Sequence, residues 1–230
     1  MNSNRKKIII AGAFYIIGTI AGLLSIAPAI DAPDFLIKAS ANANQLLFEA
    51  LFQFIMTLAY LGFAITLYPI LRKYKESLAL GFLCFRIIAA VLNIVGFISL
   101  LLLLSLSQEF VRVGTPDSSY FQTLGYLLRS GRDFVNHIAM ILATSVGGLM
   151  FYFLLYQTKL IPRLLSLWGL IGTTFTILAS LLIMFHIIEI ITTIYIVLNL
   201  PLIILEIILA LWFIAKGFDS TVINSISEKE

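Results

Sequence analysis

Arg86 stands in the stretch "GFLCFRIIAAVLNIVGF" (81–97) and Glu206 in "PLIILEIILALWF" (201–213), each surrounded by apolar side chains. An arginine in the middle of a lipid-soluble helix costs on the order of 2.5–3.5 kcal/mol on insertion scales, so it needs a partner or a task. Counted from the basic end of its span, Arg86 lies about eight residues in, roughly 12 Å deep at 1.5 Å per residue. Glu206 lies at a similar depth. Asn93 follows Arg86 by seven residues and Asn199 precedes Glu206 by seven, so each helix carries one polar stripe. The spacing predicts that the third and sixth spans face each other through an Arg86–Glu206 ion pair. Its role is structural, or it couples to a substrate or a proton.

A second constellation gathers at the opposite level. Glu49 lies one turn into the second span. Asp133 and His137 are four apart at the start of the fourth, with Arg129, Arg132 and Asn136 beside them. His186 and Glu189 are three apart at the end of the fifth. These residues suggest a polar pocket. Two imidazoles with carboxylates can ligate zinc, so His137 and His186 are weak metal candidates, with Asp133 as ligand or as orienter of His137. No H-E-x-x-H or Cys-based spacing supports that reading, and interfacial residues meeting water and headgroups are the plainer one.

Other chemistry finds little footing. There is no G-x-S-x-G elbow, P-loop or dinucleotide-binding glycine pattern. The single cysteine, Cys84, excludes an intramolecular disulfide. Basic residues are too sparse for nucleic-acid binding, and nothing calls for a cofactor.

The elements that must position these residues follow from composition. Hydrophobic residues make up 60% of the 230 and charged residues 12%, and the mean hydropathy is +1.04. Soluble domains carry about 25% charged residues. Six apolar stretches reach the length of about 20 residues that a helix needs to cross hydrocarbon. They lie near 8–30, 46–71, 78–104, 134–156, 164–186 and 192–215. The expectation is an all-α, polytopic transmembrane bundle of six helices over 1–230, a single integral membrane domain. Arg5, Lys6, Lys7, Arg72, Lys73, Lys75, Lys159, Arg163, Lys216 and Lys229 fall on one side, and Lys38, Arg112, Arg129 and Arg132 on the other. That excess places both termini in the cytoplasm. "APA" (27–29) resembles a signal-peptide cleavage site, but the apolar run before it is longer than the 7–15 residues usual there.

Two external segments carry helical signals. In 31–45, Asp34 is a possible N-cap. In 115–134, Asp117 or Ser118 can cap an amphipathic helix over 118–132 with Tyr120, Phe121, Leu124, Leu127 and Leu128 on one face, serving as an interfacial anchor or a lid. Within lipid, helices pair through small residues. Gly18 and Gly22 in the first span, and Gly169 and Thr173 in the fifth, supply such stripes.

Three segments carry a family resemblance: "FRIIAAVLN" (85–93), "LIPRLLSLWGLIG" (160–172) and "PLIILEIILALWFIAKGF" (201–218). They resemble small bacterial six-helix membrane proteins grouped as domain of unknown function 4386. Arg86, Pro162, Arg163, Glu206, Trp212, Lys216 and Gly217 are the matching positions; Ile161 and Ser166 depart from the pattern. The resemblance implies a multi-pass protein of the bacterial plasma membrane and supplies no catalytic residues. Three functions remain open. The first is a non-enzymatic structural, sensory or partner-binding protein, one form of which holds a lipid or small hydrophobic ligand. The second is a small-solute or lipid transporter with an outward pocket around Glu49, Arg132 and His137. The third is a metal-dependent intramembrane hydrolase.

Overall fold

The computed structural model describes residues 3–114, 119–190 and 192–219; Asp117, Ser118 and Lys229 lie outside them. Every regular element there is helical: α1 (Ser3–Leu24), α2 (Pro28–Asp31), α3 (Phe35–Ala41), α4 (Ala43–Leu71), α5 (Glu76–Arg112), α6 (Ser119–Asp133), one π-helical turn (Phe134–Ala139), α7 (Met140–Thr158), α8 (Arg163–Met184) and α9 (Thr193–Ala215). Six helices are long and apolar enough to cross a membrane, with α6, the π turn and α7 forming one of them.

The six close into a ring. α1 packs on α4, α4 on α5, α5 on α7, α7 on α8, α8 on α9, and α9 back on α1. Each helix therefore has two neighbours and one partner directly across the centre, and α5 stands opposite α9. The ring is locked where the termini meet. Arg5 donates from Nη1 to Phe213 O at 2.8 Å and from Nη2 to Ile214 O and Ala215 O at 2.7 and 2.8 Å. These carbonyls at the α9 C-terminus have no intrahelical donors, and the cation also suits the negative end of the helix dipole.

The centre at this terminal end is filled by rings. Phe63 on α4 stacks on Tyr15 of α1 at 4.4 Å between centroids and meets Phe82 of α5, Phe151 of α7 and Phe213 of α9 at 6.0, 5.6 and 6.2 Å. One fully buried side chain thus touches four other spanning helices. At the opposite, loop end, a second apolar cluster joins Ile30 of α2, Phe35 and Leu36 of α3, Leu46 of α4 and Leu100 and Leu103 of α5.

Two spans extend beyond the sequence-based boundaries. α5 runs to Arg112 rather than 104, because Ser105 donates to Leu101 O at 2.9 Å and the buried Ser107 hydroxyl to Leu36 O, so neither breaks the helix. At 37 residues it measures about 55 Å, well beyond a hydrocarbon core of about 30 Å. α6 continues into α7 instead of lying apart on the bilayer. No proline interrupts it, and part of its apolar face is taken up by protein: Phe121 and Leu128 pack on the loop-end cluster, Phe121 meeting Phe110 of α5, while Tyr120 and Leu127 remain 67% and 65% exposed. The first span ends at Leu24 rather than near 30, since Pro28 starts a separate turn. Asp34 sits at the α3 N-cap but makes no capping bond. It pairs instead with Lys38 Nζ at 2.9 Å, a contact that holds its carboxyl below the usual carboxylate range.

The central position of Phe63 yields a prediction. Phe63→Ala should cost about 3–5 kcal/mol, read as a fall in the thermal unfolding midpoint in mild detergent. Ile98→Ala, on a residue 48% exposed on α5, should leave the midpoint nearly unchanged.

Candidate functional site

Between the aromatic centre and the loop-end cluster the ring is hollow. A cavity of 390 Å³ is lined from all six spans. Its polar wall comprises Arg86 and Asn93 from α5, Thr57 and Tyr60 from α4, Tyr15 and Thr19 from α1, Thr144, Ser145 and Tyr152 from α7, Thr176 from α8, and Tyr195, Asn199 and Glu206 from α9. Arg86 is ten residues from the start of α5 and Glu206 nine from the end of α9. Both lie about 14–15 Å along their helices.

The expected ion pair does not close. Arg86 and Glu206 face the same cavity from opposite sides of the ring, and no contact of 4.0 Å or less joins them. The reason is Tyr60, which stands between them: its ring faces the guanidinium at 5.2 Å, and its hydroxyl donates to Glu206 Oε2 at 3.0 Å. Phe82 covers the guanidinium from the aromatic side at 5.8 Å. Arg86 is 8% exposed, and its Nε has no hydrogen-bond partner. A buried charged donor left unmatched is costly, so it marks a position where a ligand or water completes the set.

Amides close the loop end of the cavity. Gln53 Nε2 donates to Asn93 Oδ1 at 2.8 Å and lies 3.3 Å from Asn136 Oδ1. Asn93 Nδ2 donates to Thr57 Oγ1 at 2.7 Å. Asn136 comes from the π turn, whose extra residue per turn re-aims the side chains, a device frequent at functional positions. Its amide occupies the space a side chain at Gly96 would fill. Beyond it, Glu49 accepts from Gln45 Nε2 at 2.8 Å, and Arg132 Nη1 donates to Asp133 Oδ1 at 3.1 Å. Glu49 and Arg132 are 5% and 7% exposed, with Oε2 and Nε unpartnered.

The predicted outer pocket is therefore divided. Glu49, Arg132, Asp133 and Asn136 stay near the α4–π-turn side. His137, next to Asn136 in sequence, points elsewhere: its Nδ1 is 3.0 Å from the Tyr195 hydroxyl, and its carbonyl accepts from Ser180. His186 and Glu189 are exposed beyond α8. His186 adopts φ 55° and meets only the edge of Phe134 among ring contacts. None of the seven residues lines the cavity. Among the described residues no three His, Cys, Asp or Glu side chains are placed to hold a metal. The small residues sit at helix contacts. Gly18 and Gly22 lie under Tyr60 and Met56 of α4, and Gly169 lies against the Tyr152 ring of α7. Thr173 donates to Gly169 O at 2.7 Å.

Sequence reasoning missed Gln53, Thr57 and the four cavity tyrosines. A signal was present: Gln45, Glu49, Gln53 and Thr57 recur every four residues, and Tyr60 follows three later, tracing one face of α4.

Gly96→Ala should displace Asn136 and destabilise by about 1–3 kcal/mol. Gly148→Ala should be nearly neutral, since its nearest neighbour, Thr173, would lie at 3.6 Å. Unfolding midpoints of the two variants compared with the unsubstituted chain check this.

No curated protein and no solved structure matches the chain. Residues 10–217 match a family described as a domain of unknown function (DUF4386). With that match extending across all six spanning helices, the chain belongs to the DUF4386 family.

Proposed function

We propose that this multi-pass membrane protein binds a lipid-derived, amphipathic molecule in the central cavity and admits it sideways from the bilayer. The observation that carries the reading is the position of the cavity's opening. α1 and α9 touch at the terminal end, where Gly12 approaches Ala210 O. Farther along the same pair, Leu23 and Ile26 after Gly22 and Ile203 on α9 line the cavity while being 58%, 54% and 38% exposed. Side chains that are at once wall and outer surface form a mouth, and this one is apolar and at the level of the hydrocarbon. Behind it lie Arg86, Glu206, Asn93 and the tyrosines. An apolar entrance with a polar interior suits a molecule having a tail and a head.

The reading is of binding rather than catalysis. Two wall hydroxyls are engaged by their own helices, Thr19 Oγ1 donating to Tyr15 O at 3.0 Å and Thr57 Oγ1 to Gln53 O at 2.9 Å, and a third, Thr176 Oγ1, is buried with no partner to act as its base. The excess of Lys and Arg at the terminal end supports insertion with both termini in the cytoplasm of a bacterial plasma membrane. A second reading, transport between the loop end and the cavity, draws on the polar face of α4 leading from Glu49 through Gln53 to Thr57.

Native mass spectrometry from mild detergent tests the binding reading. The expected result is one retained lipid-soluble mass per chain. Its occupancy should fall at least about tenfold in Ala90→Phe, which fills the cavity one turn from Arg86. Equal adducts in both proteins, with equal unfolding midpoints, would refute the reading.

A further inference from the structure

We infer that the head of the bound molecule is a zwitterion, with a phosphate or carboxylate received by Arg86 and an ammonium received by Glu206. The inference rests on the cavity-binding reading above and specifies its ligand.

Charge balance is the first ground. The cavity wall contains one guanidinium and one carboxylate, facing the same space and kept apart by Tyr60. A purely anionic head would satisfy Arg86 and add repulsion at Glu206, and a cationic head would do the reverse. In a medium that screens weakly, either excess is expensive. A head carrying both signs completes both residues and leaves the membrane interior neutral.

Local chemistry is the second ground. Arg86 Nε is buried and unpartnered, and a guanidinium held by aromatic faces on Tyr60 and Phe82 is fixed in orientation. Such an arginine is suited to a phosphate or carboxylate, which accepts two parallel N–H bonds. Glu206 has one oxygen engaged by Tyr60, and Tyr15 and Tyr152 line the same space. A carboxylate among aromatic rings is the setting in which an ammonium gains both an ion pair and cation–π attraction.

Size is the third ground. At about 30 Å³ per water-sized group, 390 Å³ holds on the order of a dozen non-hydrogen atoms. That accommodates a phosphoethanolamine-sized head and excludes two acyl chains, which would leave through the mouth beside Leu23 and Ile203. The apolar mouth favours a zwitterionic lipid as the source over a free soluble zwitterion.

The test uses the full chain taken from vesicles of equimolar phosphatidylethanolamine and phosphatidylglycerol, with retained lipid read by native mass spectrometry. The expected result is phosphatidylethanolamine enriched roughly tenfold, the gain typical of one charge-assisted contact. Glu206→Gln should reverse the preference toward phosphatidylglycerol. The Arg86→Gln/Glu206→Gln double variant, neutral and of nearly unchanged volume, should show no preference while eluting and unfolding as the parent does. Displacement of the lipid by millimolar glycerophosphoethanolamine would support the zwitterion and assign its source to a soluble molecule. Equal retention of both lipids, abolished by Ala90→Phe, would overturn the zwitterion and leave the cavity reading standing. Retention unaffected by Ala90→Phe would overturn the cavity reading as well.

Discussion

A charged arginine near the middle of a hydrocarbon layer constrains everything packed around it. Arg86 cannot be solvated by lipid, and its long stem does not reach a direct carboxylate partner. The protein surrounds it with two aromatic faces, Tyr60 and Phe82, and a cavity. For that arrangement to exist, α5 must face the ring's interior at Arg86. Its opposite helix, α9, must present Glu206 at the same level, and α4 must place Tyr60 between them. The closed ring of six helices satisfies these conditions together, because it gives every span one inward stripe and one partner across the centre.

The two ends of the bundle then have different tasks. Rings gathered around Phe63 seal the terminal end, where Arg5 also ties α1 to α9. The loop end is sealed by amides, Gln53, Asn93 and Asn136, and by the helices that α5 and α6 carry beyond the membrane. An aromatic seal exchanges no hydrogen bonds when it moves, whereas an amide seal can trade its partners for water. On the proposed binding function, this asymmetry leaves the loop end and the lateral mouth as the routes to the cavity.

Much of this was legible in the sequence, for physical reasons that differ by residue. The six spans were visible because no soluble core can bury runs of 20 apolar residues. Arg86 and Glu206 stood out because such charges are rare there, and their equal depth followed from helical rise alone. Azimuth was not legible. Glu49, Asp133, His137, His186 and Glu189 share a level and therefore looked like one pocket. Yet Asn136 and His137, adjacent in sequence, serve different neighbours, because successive residues on a helix point about 100° apart. Nor could composition reveal that α6 and α7 are one helix, since that depends on where Phe121 and Leu128 pack against the cluster formed by α3 and α5.

On the proposed function, a lipid-soluble molecule enters between α1 and α9 and lodges beside Arg86. Photocrosslinking in native-like vesicles with a phospholipid carrying a diazirine on its tail tests this most directly, with labelled peptides mapped by mass spectrometry. Labels should concentrate on Gly22–Ile26 and Asn199–Ile203 and be suppressed when Ala90 is replaced by Phe. Labels distributed evenly over lipid-facing positions such as Leu102 and Ile171, with no concentration at that mouth, would contradict it.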